Sequence, residues 1–195
     1  MNYPVTFSFK IIAVVSQIYV RDGSGSLVGY VRQKFFKFKE AVEVFADDSQ
    51  SRLVGKIDAD RVIDFNARYH FTGADGRPLG AMARRGVRSL WKAHYSIENA
   101  QGGASMEIHE ESAWVKFLDG LVGEIPVLGM FSGYFLNPVY LVTRPDGSLV
   151  ARITKRRAFL ESRFVLEPVG VVPDEDEPAL LFGTLMLLLL ERNRG

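Results

Sequence analysis

The sequence predicts an all-β fold with a central helix: about twelve antiparallel strands closed into a barrel around a hydrophobic C-terminal helix. Three observations predict it. Short alternating runs rich in Phe, Tyr, Val and Ile fill most of the chain, divided by Asp-Gly, Gly-Ser and Asp-Asp turns, which is the pattern of an all-β domain. One turn unit recurs along the chain. The last long stretch, from Pro178 to Leu190, is apolar on every side, so it has to be enclosed.

Strands are expected at Val5–Ala13, Gln17–Arg21, Ser26–Gln33, Ala41–Phe45, Arg52–Asp58 and Val62–Phe71. Others are expected at Leu79–Arg85, Trp91–Ile97, Ala104–His109, Val139–Arg144, Leu149–Thr154 and Phe159–Glu167. The repeat aligns Tyr19–Lys34, Tyr69–Arg85 and Tyr140–Arg156. In each copy an aromatic-led strand meets an Asp-Gly turn, a Leu-containing strand follows, and bases close the unit. Asp-Gly between apolar runs marks a hairpin, because Gly accepts the positive φ that such turns require. Between the second and third copies, Ala113–Val122 sets Trp114, Phe117, Leu118 and Leu121 on one helical face. That spacing predicts a short connecting helix near residues 113–122. The uncharged stretch Ile125–Tyr140 is broken by Pro126, Gly129, Gly133, Asn137 and Pro138, so it reads as a loop and a buried strand, not a membrane span.

The helix near residues 178–192 has acids before it (Asp174–Glu177), arginines after it, and Pro178 at its start. This polarity suits the helix macrodipole. The apolar run from Ala179 to Leu190 reaches ~18 Å at a rise of ~1.5 Å per residue, well short of the ~30 Å core of a bilayer. Leu180, Leu181, Leu185, Leu187 and Leu188 are its expected core residues. A dozen-stranded barrel is too wide for its own side chains to fill, and this helix fills it. Burying the seven leucines between 180 and 190 is worth roughly 10–20 kcal/mol gross.

Composition narrows function by exclusion. A chain of 195 residues fits one domain, here residues 1–195. A net charge of +1 argues against a nucleic-acid binder acting through bulk field. The absence of cysteine removes disulfides, thiolate metal sites and thiol catalysis, and fits a reducing, cytoplasmic interior. No signal peptide or myristoylation site is apparent, with strand-like alternation and Asn2 at the start. Gly23–Gly29 resembles a nucleotide loop, but a strand follows where a helix N-terminus is needed. His70, His94 and His109 lack metal-ligand spacing. Glu107, Glu110 and Glu111 form an acid cluster without an evident cleft. Trp91 and Trp114 read as core or docking residues. No catalytic residue, metal or cofactor is expected.

The basic clusters point most directly to a partner: Arg32, Lys34, Lys37 and Lys39; Arg84, Arg85 and Arg88; Lys155, Arg156 and Arg157, with Arg163 nearby. Recurring at one place in each repeat, they gather at one end or flank of the barrel. There they suit phosphorylated head groups, at ~1 kcal/mol per base near an anionic surface. Their competing reading is as solvated gatekeepers at strand edges.

Ile125–Tyr140, Pro145–Lys155 and Phe159–Glu167, with Tyr30–Phe36 and the segment from Tyr69 to Gly76, resemble the LURP-one-related family. More broadly they resemble the tubby C-terminal-like superfamily, which includes phospholipid scramblases. The resemblance implies a twelve-stranded barrel around a C-terminal helix. It associates the chain with phosphoinositide binding, lipid movement or plant defence. The chain departs from scramblases in lacking a Pro-rich extension and a cysteine cluster, and Asp174–Glu177 differs in spacing from their proposed calcium segment. The expected function is a non-catalytic binding module, cytoplasmic or peripheral to a membrane, whose partner is anionic lipid or a protein. Alternatives are scramblase-like translocation, or an enzyme or small-ligand protein with a barrel-end pocket.

Overall fold

A computed structural model describes residues 1–10, 15–34, 41–60, 67–84, 94–111, 138–157 and 161–192. The strands are β1 (Val5–Lys10), β2 (Val15–Arg21), β3 (Leu27–Lys34), β4 (Val42–Phe45), β5 (Leu53–Ala59) and β6 (Arg68–Gly73). They continue as β7 (Pro78–Arg84), β8 (His94–Glu98), β9 (Ala104–Glu110), β10 (Val139–Thr143), β11 (Leu149–Arg157) and β12 (Glu161–Pro168). Among the described residues one helix, α1, spans Glu177–Arg192. Each strand pairs antiparallel with its sequence neighbours, and β12 returns to β1, so the barrel closes. Closure leaves no free sheet edge among the described strands. The expected fold class is the one observed. The connecting helix expected near 113–122 falls outside the described residues.

Alternation builds the core. Val5, Phe7 and Phe9 of β1 point inward, as do Ile18 and Val20 of β2, Met106 and Ile108 of β9, and Ala151 and Ile153 of β11. A period of two places every such residue on the inner face. Against this lining sits α1, with Leu180, Leu185, Leu187 and Leu188 almost fully buried and Leu181 half-buried. The helix begins one residue before Pro178. Asp176 caps it through its carbonyl, which accepts from Leu180 N at 2.9 Å. Pro178 therefore lies in the first turn, where no backbone donor is lost. Asp176 is also buried, with its Oδ2 3.3 Å from Arg144 Nη1, so this acid is more than loop solvation.

Five hairpin loops share one design and lie at the same end of the barrel. Gly25, Gly76, Gly102 and Gly147 take positive φ, and Gln50 does so at φ 60°. Each donates its N–H to the carbonyl three residues earlier, and a register shift lies beside each loop. That combination is a type I turn with a bulge. Side chains of Asp22, Asp47, Asp75, Asn99 and Asp146 accept backbone N–H groups within the loops. Sequence alignment recognises three of these loops through Asp-Gly. In the first copy it selects the wrong glycine. Gly25 holds the positive φ, whereas a Cβ on Gly23 would lie 2.3 Å from the Tyr3 carbonyl oxygen.

The helix is off-centre. A Cβ on Gly55 would stand 2.9 Å from Phe182, one on Gly80 would stand 2.9 Å from the Ala179 Cβ, and one on Gly183 would stand 2.7 Å from Ile97. These glycines let α1 press against β5, β7 and β8. Space is left on the opposite wall.

Candidate functional site

With the hairpin loops at one end, the last residues of β1, β3, β5, β7, β9 and β11 all reach the other end, where α1 also finishes. Of the bases that close each repeat, the described ones, Arg32, Lys34, Arg84, Lys155, Arg156 and Arg157, therefore stand on strand ends at one rim. Strand alternation then divides them. On β11, Ala151 and Ile153 point inward, and Lys155 follows them, while Arg152 and Arg156 face solvent. On β7, Arg84 turns inward and acts electrostatically on Tyr69, Tyr95 and Glu191. Arg32 faces out. Arg156 Nη2 lies 3.4 Å from Glu167 Oε1, and Arg163 Nη2 lies 3.6 Å from Glu161 Oε2. For Lys34 and Arg157 the strand backbone alone is described, and Lys37, Lys39, Arg85 and Arg88 lie outside the described residues.

On the wall that α1 does not press, a cavity of about 580 Å³ opens at this rim. It is lined by Phe9 of β1, Tyr140 of β10, Lys155 of β11, Ser162 and Phe164 of β12, Pro138, and Leu188, Glu191 and Arg192 of α1. Register explains the convergence: Phe9 pairs with Ser162, and Phe164 with Lys155. Phe9 and Phe164 meet edge to face at 5.9 Å, and the Arg192 guanidinium lies 5.3 Å from the Phe9 ring centroid. Two cations thus stand beside an apolar wall formed by Phe9, Phe164 and Leu188. A site of this size and mixed lining suits a small or amphiphilic ligand.

Glu191 sits beside these cations. Its carboxylate accepts hydrogen bonds from the Tyr95 and Tyr140 hydroxyls, with Glu110 and Arg84 close by. Burial, reinforced by Glu110, pushes its pKa up to about 7, against the opposing effects of Arg84 and the two hydroxyls. Burial, with the Glu191 charge next, raises both tyrosine pKa values well above their usual range. A carboxyl poised near neutrality inside a cavity is a common feature of working sites. Sequence reasoning missed this group. The signal was present: charges placed immediately after a buried helix must emerge at the rim, beside tyrosines that lead their strands.

The other candidates do not converge here. His94 and His109 pair across β8 and β9, ring centroids 6.3 Å apart, with His94 Nε2 3.1 Å from Glu107 Oε2. Both histidines lie on the outer face, opposite in parity to the buried Tyr95 and Ile108. His70 is exposed on β6. Among the described residues no group of three or more His, Cys, Asp or Glu side chains is placed to hold a metal. Among them also, no helix is long and apolar enough to cross a membrane.

Comparison with known proteins adds a family. No curated protein matches the chain. An Arabidopsis thaliana protein solved by X-ray crystallography is similar over 98% of this chain and 93% of its own, at 12% identity and a TM-score of 0.49. The LURP-one-related family model matches residues 27–176, from the start of β3 to the residue that caps α1. Together with the closed barrel, that match supports a non-enzymatic binding module. Because it runs through ten of the twelve described strands and stops where the enclosed helix begins, the chain belongs to the LURP-one-related family.

Proposed function

We propose that this protein is a cytoplasmic binding module that docks peripherally on membrane and takes the anionic head group of a phospholipid at its basic rim. The observation that carries this reading is the rim cavity, where Lys155 and Arg192 meet an apolar wall of Phe9, Phe164 and Leu188. A phosphate there gains charge-assisted hydrogen bonds from the two cations and the Ser162 hydroxyl. The apolar wall receives the first methylenes of an acyl chain, at ~0.8 kcal/mol per buried CH₂. Arg84, on the opposite wall, acts on the cavity-lining Glu191, and the outward Arg32 and Arg156 add long-range attraction to an anionic surface.

Co-sedimentation with vesicles tests this. Binding is expected to phosphatidylcholine vesicles containing phosphatidylserine or a phosphoinositide, and to fall as salt rises. Lys155→Glu shifts the rim charge by two units and is expected to weaken binding about thirtyfold, at ~1 kcal/mol per unit of charge. Equal binding to neutral and anionic vesicles would overturn the proposal.

A second reading follows from the cavity volume, which lies within the range of small-molecule sites: a soluble ligand in a barrel-end pocket. A metabolite that raises the melting temperature of wild type but not of Lys155→Glu would favour it. Translocation of lipid is the least supported reading. It requires α1 to leave a barrel in which ten of its residues are buried, and a fluorescent-lipid assay in liposomes would detect it.

A further inference from the structure

The outer face of β12, β1 and β2 carries a groove distinct from the rim cavity. Val5, Phe7 and Phe9 fill the core, so Thr6, Ser8 and Lys10 point outward from β1. Register places Ser8 between Tyr19 of β2 and Arg163 of β12, with Thr6 opposite Arg21 and Lys10 opposite Glu161. Two short hydroxyl side chains between rows of long ones make a trough. Its floor is Thr6 and Ser8, and its far end is closed by Pro4 and the 22–25 turn. The volume is about 500 Å³.

We propose that this groove binds a phosphate monoester. Three cations border it: Lys10, Arg21 and Arg163. Of its two acids, Asp22 is turned into its own loop, where its carboxylate accepts from Ser24 N, Ser24 Oγ and Ser26 N at 3.0, 2.6 and 3.0 Å. Glu161 stands 3.6 Å from Arg163, too far for a good hydrogen bond, so Arg163 keeps donors for a ligand. Arg21 gives Nη1 to the Gly25 carbonyl at 3.0 Å and retains its other N–H groups. The Lys10 ammonium rests 4.7 Å from the Tyr19 ring centroid, an exposed contact that holds it weakly. No hydrogen bond of the Thr6 or Ser8 hydroxyl occurs among the described residues.

The donors thus approach from three strands and from the floor. A tetrahedral phosphate accepts from all of these directions, whereas a planar carboxylate matches a single guanidinium. A monoester is nearly dianionic at neutral pH, which answers an excess of cations over the one acid left facing the groove. The floor, from β1, and the Arg21 wall, from β2, precede the residues matched by the family model, whereas Arg163 and Glu161 of β12 lie within them.

The test is an amide NMR titration of the full chain with glycerol 3-phosphate, with glycerol and inorganic sulfate as controls. A parallel arm uses phosphatidylcholine vesicles with and without phosphatidic acid, a lipid that presents the same phosphomonoester. Saturable shifts at Ser8, Tyr19 and Arg163 are expected with the phosphomonoester and not with glycerol. Arg163→Ala should weaken binding about tenfold, the usual loss for a hydrogen bond to a charged group. Ser8→Glu should abolish it, and Lys155→Glu at the rim should leave the glycerol 3-phosphate shifts at Ser8, Tyr19 and Arg163 unchanged. All three positions face solvent or the rim, and dispersed spectra will report folding. Binding by the soluble ester, the vesicle or both supports the site and identifies the source of the phosphate. No saturable shift with either, equal affinity for sulfate, or an Arg163→Ala variant that binds like wild type overturns it.

Discussion

Glu191 shows what one position can do when an enclosed helix ends beside a wet rim. Its carboxyl is pulled two ways: burial and Glu110 favour the neutral form, while Arg84 and the hydroxyls of Tyr95 and Tyr140 favour the charge. Burial wins. Because the folded-state pKa, about 7, lies above the ordinary 4.5, the folded state holds a proton that the unfolded chain releases between these values. Stability from this group is fully present below pH ~4.5, declines as pH rises, and is lost above pH ~7. Glu191→Gln should therefore flatten the fall in stability across that window. It should make the protein more stable than wild type at pH 8 by ~1–2 kcal/mol, after discounting for partial exposure. Urea melts of both proteins between pH 4.5 and 8 check this, and parallel curves would exclude Glu191 as the source. Glu191 lines the same cavity as Lys155 and Arg192, so an anionic ligand should bind the rim more tightly at pH 6 than at pH 8, and Glu191→Gln should remove that difference.

At the scale of elements, the hairpin loop is the repeated part and the glycine seam is the shaped one. Each loop combines a carboxylate or amide acceptor with one residue at positive φ and a bulge, whether or not it spells Asp-Gly. The loops at Asp47 and Asn99 fall outside the three-copy repeat because neither spells Asp-Gly: Gln50 follows Ser49 and Gly102 follows Gln101. The seam depends on what is absent. Gly80 lies at φ 140°, and a Cβ there would stand 2.3 Å from the Glu98 carbonyl oxygen and 2.9 Å from the Ala179 Cβ. Neither the strand backbone nor the helix can yield cheaply. Gly80→Ala should cost at least ~2 kcal/mol, from backbone strain and overpacking together. Denaturant unfolding measures it, and an unchanged midpoint would mean that α1 does not press on β7.

The whole molecule is a closed sheet that needs its filling. Leu187 is fully buried within the barrel, so Leu187→Asp places an unpaired carboxylate where it has no solvent. The roughly 10–20 kcal/mol of gross leucine burial rivals the ~5–15 kcal/mol net stability of an ordinary domain. Either Leu187→Asp or removal of the chain from Pro178 onward should leave no cooperatively folding protein. Circular dichroism melts will decide, and a soluble truncation with a sharp transition would show that the barrel stands empty. Off-centre placement of the same helix has a functional consequence. Pressing on β5, β7 and β8 opens the opposite side, and the cavity lies where β10, β11, β12 and β1 are left without a close partner.

The sequence by itself determined the strand-rich barrel and the enclosed Leu-rich helix. Periods of two, turn chemistry and all-round apolarity are local properties that need no knowledge of the rest of the chain. Only tertiary structure decided which of the described repeat-closing bases enters the cavity. A shift of one residue along a strand exchanges inside for outside, which is why Lys155 lines the rim and Arg156 pairs with Glu167 in solvent. The Glu191–Tyr95–Tyr140 cluster and the Thr6–Ser8 groove were likewise settled by register across strands distant in sequence. Composition carries no trace of that register, because it is set when the sheet closes around the helix.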